Sequence, residues 1–319
     1  MNPALQQNNY LKKDLFGLII NEQIEVNIYA DEIMSRKCPY SGNYWHYIGI
    51  IVEDCSNPLL PDIICERFCN NFDKKSPYYN KNNLPIHWVD ICSADEKNIC
   101  KRWFQYILNP SKSHKKFYCY ILGINDSNLN KEEFDPNSNF NSKYNRFFRT
   151  AIKYALKCFF RNKKITIKNI YHEQGQQQLH HYFPWHVIHK LHSEESNFTF
   201  QKNEIEFLQK DHTIDERSNI IQLIDCVLGA VTNVIHGVEE SNRGKYRTEL
   251  LNLMLPLVQR IIREPQNKNS PYSHFNRIMI RFFPKEKTDL NDPQRYRNQF
   301  YNVRPLKYED DISGQGKLF

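Results

Sequence analysis

The sequence has no long uninterrupted apolar segment. A membrane-spanning helix needs a run of about 18 or more apolar residues, and no such run occurs. The segment Met1–Lys13 is rich in Asn and Gln, where a secretory signal peptide would be apolar. The sequence therefore predicts a cytoplasmic protein that does not associate with membranes.

Glycine is scarce, with 10 residues in a chain of 319. The sequence has neither a glycine-rich phosphate-binding loop nor the lysine that follows one in nucleotide hydrolases. It also has no Gly-x-Ser-x-Gly turn, the motif that exposes the nucleophile of many serine hydrolases. These absences disfavour nucleotide-driven catalysis and a Ser-His-Asp mechanism.

The nine cysteines show no sign of a disulfide framework, because their number is odd and they lie in apolar or aromatic runs. Cys119, for example, stands between two tyrosines. Cys65 and Cys69 are four residues apart, but no second close pair with a zinc spacing accompanies them. We therefore expect reduced thiols, in keeping with the cytoplasm, and no structural zinc site.

The composition is that of a folded protein, with 40% hydrophobic and 13% aromatic residues. No repeat of fixed period and no low-complexity linker divides the chain. We predict one α/β domain over residues 22–284, preceded by a segment at 1–21 and followed by a charged extension at 285–319.

Alternating apolar residues predict an N-terminal β-hairpin. Val26, Ile28 and Ala30 alternate with polar residues before the chain reaches Asp31, and the aromatic, β-branched segment Tyr44–Val52 is the expected antiparallel partner. Strands and helices alternate further along the chain, which predicts a mixed sheet flanked by helices. We expect helices over 58–72, 95–108, 144–160, 177–193, 220–235 and 246–263, and strands over 86–91, 117–124, 165–171, 198–207 and 277–283.

A second strand also ends in acid, at His172 and Glu173. If the strand alternates regularly, Glu173 shares a face with Ile165 and Ile167 while His172 points to the other face. We therefore expect only one of His172 and Glu173 to point at a functional site, and the sequence leaves open which.

Asp225 lies in a helical segment that is apolar nearly all round. A charge in such a position must be paired, protonated or bound to metal. A salt bridge to an Arg or Lys, or a hydrogen bond from Gln222, explains Asp225 as well as a metal does. Similarly, an acid that follows a strand, such as Asp31, is often only the first residue of a turn.

Basic residues cluster on the polar side of the predicted helix 144–160 and just beyond it. The residues expected to contact phosphate are Arg149, Lys153, Lys157 and Lys164. Such a stripe either follows a nucleic-acid backbone or is simply the solvated face of an amphipathic helix.

These acidic segments together resemble the bacterial family catalogued as domain of unknown function 3800, which has a ribonuclease-H-like fold. The strand that ends at Asp31-Glu32 resembles the family's Asp-Glu-Ser-Gly strand, and 165–175 resembles its second acidic strand. The stretch from Gln222 to Asp225 resembles its Gln-Leu-Ala-Asp helix. The chain departs from the pattern at Ile33-Met34, where Ser-Gly is usual, and at His172, which stands near the second aspartate.

The resemblance implies a nuclease that uses two Mg²⁺ or Mn²⁺ ions to hydrolyse phosphodiester bonds in RNA or DNA. Its catalytic residues would be Asp31, Glu173 and Asp225. The alternative is a protein of the same fold that binds nucleic acid or a partner without metal; a homo-oligomer or a subunit of a larger assembly is a further expectation. The residues implied as metal ligands are Asp31, Glu32, His172, Glu173, Asp215 and Asp225.

Overall fold

The computed structural model describes residues 22–38, 42–129, 140–161, 163–180, 182–237, 244–263 and 277–283. The predicted terminal segments 1–21 and 285–319 and most of the polar loop 126–142 lie outside the described residues. The strands are β1 (Gln23–Lys37), β2 (Tyr44–Asp54), β3 (Tyr118–Asn125), β4 (Lys164–Glu173), β5 (Phe198–Phe200), β6 (Glu206–Leu208) and β7 (Ile278–Phe283). The α-helices are α1 (Leu60–Phe68), α2 (Pro77–Asn82), α3 (Ala94–Leu108), α4 (Pro110–Ser113), α5 (Phe140–Phe159), α6 (Lys190–Glu194), α7 (Ser218–His236) and α8 (Lys245–Arg263).

The strands form one mixed sheet in the order β5-β4-β1-β2-β3-β7, with β6 also pairing with β4. β1, β2 and β3 pair antiparallel in sequence, so the predicted N-terminal hairpin is confirmed. β4 runs parallel to β1, and β5 and β6 pair in turn with the other edge of β4. The predicted strand 198–207 is therefore two short strands along one edge.

Helices cover both faces of the sheet, as predicted. α1, α3, α7 and α8 pack on the face that carries Tyr29 and Tyr47. α5 packs on the opposite face, against residues such as Ile28 and Ile48. By length and composition α7 is apolar enough to cross a membrane, but it is buried within the fold, as the core helix of a soluble protein would be.

Two further predicted elements differ from the structure. Residues 86–91 hold a single 3₁₀ turn, Trp88–Asp90, in place of a strand, because the N–H groups of Ile86 and Trp88 donate to side chains of α7 rather than to a neighbouring strand. The continuous helix predicted over 177–193 is instead a 3₁₀ turn at Gln176–Leu179, a π-helical turn at Trp185–His189 and the short α6.

A bulge in β4 overturns the expected regular alternation. In the pairing with β1, Val26 lies opposite Ile167 and Asn27 lies opposite Asn169, so Lys168 is an extra residue. An extra residue exchanges the two faces of a strand beyond it. Consequently His172 lies on the α5 face with Ile167, and Glu173 points to the α7 face with the buried Tyr171.

Candidate functional site: three carboxylates around a buried lysine

Three of the predicted site residues meet at one lysine side chain. Lys210 Nζ lies 2.8 Å from Glu173 Oε1, 3.0 Å from Asp31 Oδ2 and 3.4 Å from Asp225 Oδ1. Asp31, Glu173 and Asp225 are called the carboxylate cluster below. They come from the middle of β1, the end of β4 and the second turn of α7, so the fold brings together residues that are far apart in the sequence.

The close approach of α7 to the sheet depends on a glycine. Gly49 of β2 lies directly opposite Asp31 in the hairpin. A Cβ atom at this position would lie 2.9 Å from side-chain atoms of Ile224 and Leu228. The absence of a side chain therefore allows α7 to pack over β2, which places Asp225, the next residue after Ile224, beside Asp31.

Asp225 is oriented by the segment that contains Trp88. The Trp88 backbone N–H donates to Asp225 Oδ2 at 2.8 Å, which leaves Oδ1 facing Lys210. One helical turn after Asp225, a Cβ atom on Gly229 would lie 2.0 Å from Trp88 Cγ. Since even one methyl group would collide with the indole, the Gly229 position lets Trp88 pack directly on α7.

Lys210 lies in the loop after β6, and hydrogen bonds hold this loop in place. Ser218 Oγ donates to the carbonyl oxygen of Gln209 at 2.6 Å, and Gln222 Nε2 donates to that of Lys210 at 3.2 Å. The first turns of α7 thus position the lysine. A single lysine in a polar loop has no sequence signature; the buried charge of Asp225 predicted a partner but did not identify it.

Burial and charge dominate the electrostatics of the cluster. The Asp31 side chain is 0% exposed, whereas Lys210, Asp225 and Glu173 are 11%, 16% and 26% exposed, so the site opens towards Glu173. Burial raises the pKa of Asp31 well above its usual range, although Lys210 opposes the rise. Burial also raises the pKa of Asp225, again against Lys210.

Lys210 is the cation of this site. Burial alone would lower the pKa of its amine, but Asp31 and Asp225 outweigh that effect and raise the pKa above its usual value. With all groups ionised, three carboxylates share one ammonium ion, and two negative charges remain in a largely buried site. Such an excess of charge is costly unless a further cation balances it or a carboxyl group takes up a proton, and the raised pKa of Asp31 favours the proton.

The donor chemistry of the cluster fits a hard divalent cation, for which carboxylate oxygens are the preferred ligands. Asp31 Oδ1 accepts the Glu32 backbone N–H at 2.7 Å. Asp31 Oδ2 lies 3.0 Å from Lys210 Nζ, and a side-chain hydrogen bond with Glu173 adds to the rise in the pKa of Asp31. The described residues contain no group of three or more His, Cys, Asp or Glu side chains placed to hold a metal ion, and the Lys210 ammonium lies where the three carboxylates meet.

Glu32 and His172 form a separate pair on the α5 face. His172 Nε2 lies 3.1 Å from Glu32 Oε2, and Tyr144 donates to the same carboxylate oxygen at 2.9 Å. Burial opposes both charges, yet Glu32 raises the pKa of His172 and His172 lowers that of Glu32, which favours an ion pair. The sequence left open whether Glu173 or His172 points at the site. Glu173 lies with Asp31 and Asp225, and His172 does not.

The structure does not bring Asp215 to the cluster. Arg217 donates to both of its carboxylate oxygens, from Nε at 3.0 and 3.1 Å and from Nη2 at 2.5 Å. This pairing lowers the pKa of Asp215. The role implied for Asp215 as a metal ligand therefore has no geometric support.

Three residues of the basic stripe are engaged with glutamates. Arg149 contacts Glu194 at 3.2 Å, and Lys153 and Lys157 both lie 2.7 Å from Glu195. These contacts tie α5 to α6 and its C-cap on the face of the sheet opposite the cluster.

The fourth basic residue, Lys164, is exposed at the other end of β4 from the cluster. It stands nine residues before Glu173, roughly 30 Å away at about 3.3 Å per residue. The four basic residues therefore do not form a track that leads to the carboxylates.

Comparison of the chain with protein-family models, with curated proteins and with solved structures gave no match. The resemblance to the domain of unknown function 3800 family therefore stays a prediction from the sequence.

Proposed function

We propose that this chain is a divalent-metal-dependent hydrolase of phosphodiester bonds in RNA or DNA, with a ribonuclease-H-like fold. The observation that carries the proposal is the meeting of Asp31, Glu173 and Asp225, three acids from three separate elements, at one point. An antiparallel hairpin followed by the parallel strands β4 and β5, with helices on both faces, supports the fold assignment.

The cluster residues would hold Mg²⁺ or Mn²⁺ through carboxylate oxygens. A bound ion of this kind lowers the pKa of a water molecule and stabilises charge on a phosphoryl group. The protein contributes rigidity: β1 fixes Asp31 in the centre of the sheet, and the Trp88 N–H fixes the orientation of Asp225. A site built on regular elements holds its groups more accurately than one built on loops.

The test is the change Asp225→Asn, which keeps the shape of the side chain and its acceptor for the Trp88 N–H but removes the charge. We expect Mn²⁺-dependent cleavage of single-stranded and duplex RNA and DNA to fall to background while thermal unfolding is unchanged. Asp215→Asn is the matched control, because Asp215 is paired with Arg217 outside the cluster, and should retain cleavage. Equal cleavage by the Asp225→Asn variant and the unmodified protein would refute the proposal.

The second candidate function is metal-free binding of nucleic acid or a protein partner by the same fold. It is favoured by one observation, the Lys210 ammonium at the centre of the carboxylates. It predicts binding that is independent of Mn²⁺ and, for nucleic acid, weakens steeply with salt. Binding measured with and without Mn²⁺ at several salt concentrations distinguishes the two functions.

A further inference from the structure

Three large apolar or aromatic side chains are exposed close together after β4. Leu179, Tyr182 and Trp185 are 81%, 67% and 49% exposed, and they are called the aromatic surface below. They make up three of the ten exposed large hydrophobic side chains among the described residues. Trp185 also stands apart from the other tryptophans, all of which are buried. Apolar side chains exposed singly need no explanation, but a group of them indicates contact with a ligand.

The aromatic surface is anchored at the end of β4 that carries Glu173. Phe183, which follows Tyr182 in the chain, is fully buried. Its ring centroid lies 5.7 Å from that of His172, the residue before Glu173. Glu173 is in turn the most exposed acid of the carboxylate cluster. The aromatic surface therefore lies at the same end of β4 as the open side of the cluster.

The surroundings of the aromatic surface are basic. Residues 174–193 contain five histidines and one lysine but neither Asp nor Glu. Lys190 Nζ lies 5.3 Å from the centre of the Trp185 ring, which is a cation–π contact. Burial lowers the pKa of His186, and the neighbouring charge of Lys190 lowers it further. Positive charge beside exposed rings suits an anionic ligand.

Exposed rings and positive charge together indicate the class of ligand. Every nucleobase has a flat face that stacks on an aromatic ring, and the phosphates of the strand are attracted to positive charge. Bases in a duplex are already stacked on their neighbours, so a single strand offers base faces that a duplex does not. Aromatic residues are also common at contacts between proteins, but the absence of acids over residues 174–193 favours an anionic ligand.

We propose that the aromatic surface binds single-stranded nucleic acid, with bases stacked on Tyr182 and Trp185 and Lys190 beside the phosphates. The inference rests on the proposed function for the choice of nucleic acid as the ligand, and it narrows the substrate class to single strands. Binding at this surface needs no metal ion, because none of its contacts involves the carboxylate cluster. A bound strand would extend from the rings towards Glu173.

The experiment measures binding of the full chain to a fluorescent oligothymidylate of about 12 nucleotides, a length within the range of known single-strand sites. Fluorescence anisotropy is recorded in EDTA, so that no strand is cleaved, and is repeated with the duplex that the probe forms with oligoadenylate. Trp185→Ala should weaken binding of the single strand about 5- to 100-fold and change binding of the duplex little. Tyr78→Ala is the matched control, because Tyr78 is 44% exposed on α2, and it should bind as the unmodified chain does.

Two further variants separate stacking from charge. Trp185→Phe keeps an aromatic ring and should restore most of the affinity. The single strand should quench the tryptophan fluorescence of the unmodified chain but not that of Trp185→Phe, because the other tryptophans are buried. Lys190→Met should lower the magnitude of the slope of log affinity against log salt concentration by about 0.7, whereas Trp185→Ala should leave this slope unchanged.

Equal binding of the single strand by folded Trp185→Ala and by the unmodified chain overturns the inference, and Mn²⁺-dependent cleavage would still support the proposed function. Binding that depends on Trp185, in a chain that cleaves no nucleic acid with Mn²⁺, supports the inference and refutes the proposed function. A dimer that Trp185→Ala converts to a monomer, without weaker binding of the strand, also overturns the inference, because the surface then joins two copies of the chain. If thermal unfolding shows that Trp185→Ala does not fold, Tyr182→Ala replaces it with the same outcomes.

Discussion

At the scale of single residues, buried polar groups link the site to the core behind it. Arg67 is fully buried, and its guanidinium donates to the side-chain oxygens of Asn219 and Gln222 and to two backbone carbonyls. Burial lowers its pKa to about 9. The Gln222 oxygen also accepts the Ile86 N–H, and its amide donates to Lys210. Gln222 therefore connects Arg67 to the site lysine and does not bond to Asp225, the contact that the sequence had suggested.

We predict that Arg67→Lys lowers the free energy of unfolding by about 2 to 4 kcal/mol, because lysine cannot donate in the planar fork that these acceptors require and leaves buried acceptors unpaired. Urea denaturation measures the loss. Arg161→Lys is the control, since Arg161 is exposed and its replacement should change little. A loss below about 1 kcal/mol at Arg67 would contradict the structural role assigned to its hydrogen bonds.

At the scale of elements, the packing of α7 on the sheet decides whether the acids meet. Gly49→Ala should lower the free energy of unfolding by about 1 to 3 kcal/mol, because the added methyl group would overlap Ile224 and Leu228 in a filled core. Gly244→Ala is the matched change, because the nearest atom to its new methyl group is Arg247 Nε at 3.7 Å. Equal stability of the two variants would show that α7 does not need this close approach.

The basic face of α5 acts as a contact between helices in this structure. Lys153 and Lys157 are 25% and 46% exposed and share Glu195, the residue that follows α6, and the contacts of Lys153 with Glu195 and Glu194 raise its pKa. Partly exposed pairs of this kind contribute little, typically about 0 to 1 kcal/mol.

We therefore predict that replacing Lys153 and Lys157 together by Ala leaves the salt dependence of nucleic-acid binding unchanged and costs no more than about 1 kcal/mol of stability. Fluorescence anisotropy at several salt concentrations provides the measurement. If the slope of log affinity against log salt concentration instead falls in magnitude by about 1.4 to 1.8, α5 contacts phosphate, as the sequence predicted.

At the scale of the whole molecule, two buried histidines make the fold sensitive to acid. His212 bonds to Asn83 at 2.9 Å, and His236 bonds to the Tyr47 hydroxyl at 2.5 Å. Burial lowers the pKa of His212 to about 4 and that of His236 to about 3. The unfolded chain, with histidines near pKa 6.5, binds more protons below that pH. Stability therefore falls as the pH falls from about 6.5.

We predict a decrease of up to about 1.4 kcal/mol per pH unit for each of these histidines between pH 6.5 and 5. Urea denaturation at about pH 7.5, 6.5, 5.8 and 5.0 gives the slope of stability against pH. His212→Gln should remove one of the two contributions, whereas His189→Gln, a change at an exposed position, should leave the slope as it was. His172 does not act in this range, because its raised pKa gives stability that is lost only as the pH rises.

The sequence by itself determined those features of the structure that depend on residues close together along the chain. Alternation and helical spacing identified β2, α3 and α7 nearly to their ends, because each pattern reflects one buried face of a single element. They found β1 and α5 only in part: β1 continues to Lys37, past the end predicted at Asp31, and α5 begins at Phe140. It also placed Asp31, Glu173 and Asp225 among the site residues, and it showed that a charge inside α7 needs a partner.

Only the tertiary structure decided how these elements meet. Lys210 joins acids from three elements, and the bulge at Lys168 turns Glu173 rather than His172 towards Asp31. Residues 86–91 also depend on a distant part of the chain. Their backbone N–H groups bond to side chains of α7, more than a hundred residues later, and not to a neighbouring strand. Such contacts leave no periodic pattern in the sequence, because their geometry exists only after α7 packs on the sheet. The position of the Lys210 ammonium among the carboxylates therefore could not be predicted from sequence patterns and is seen only in the tertiary structure.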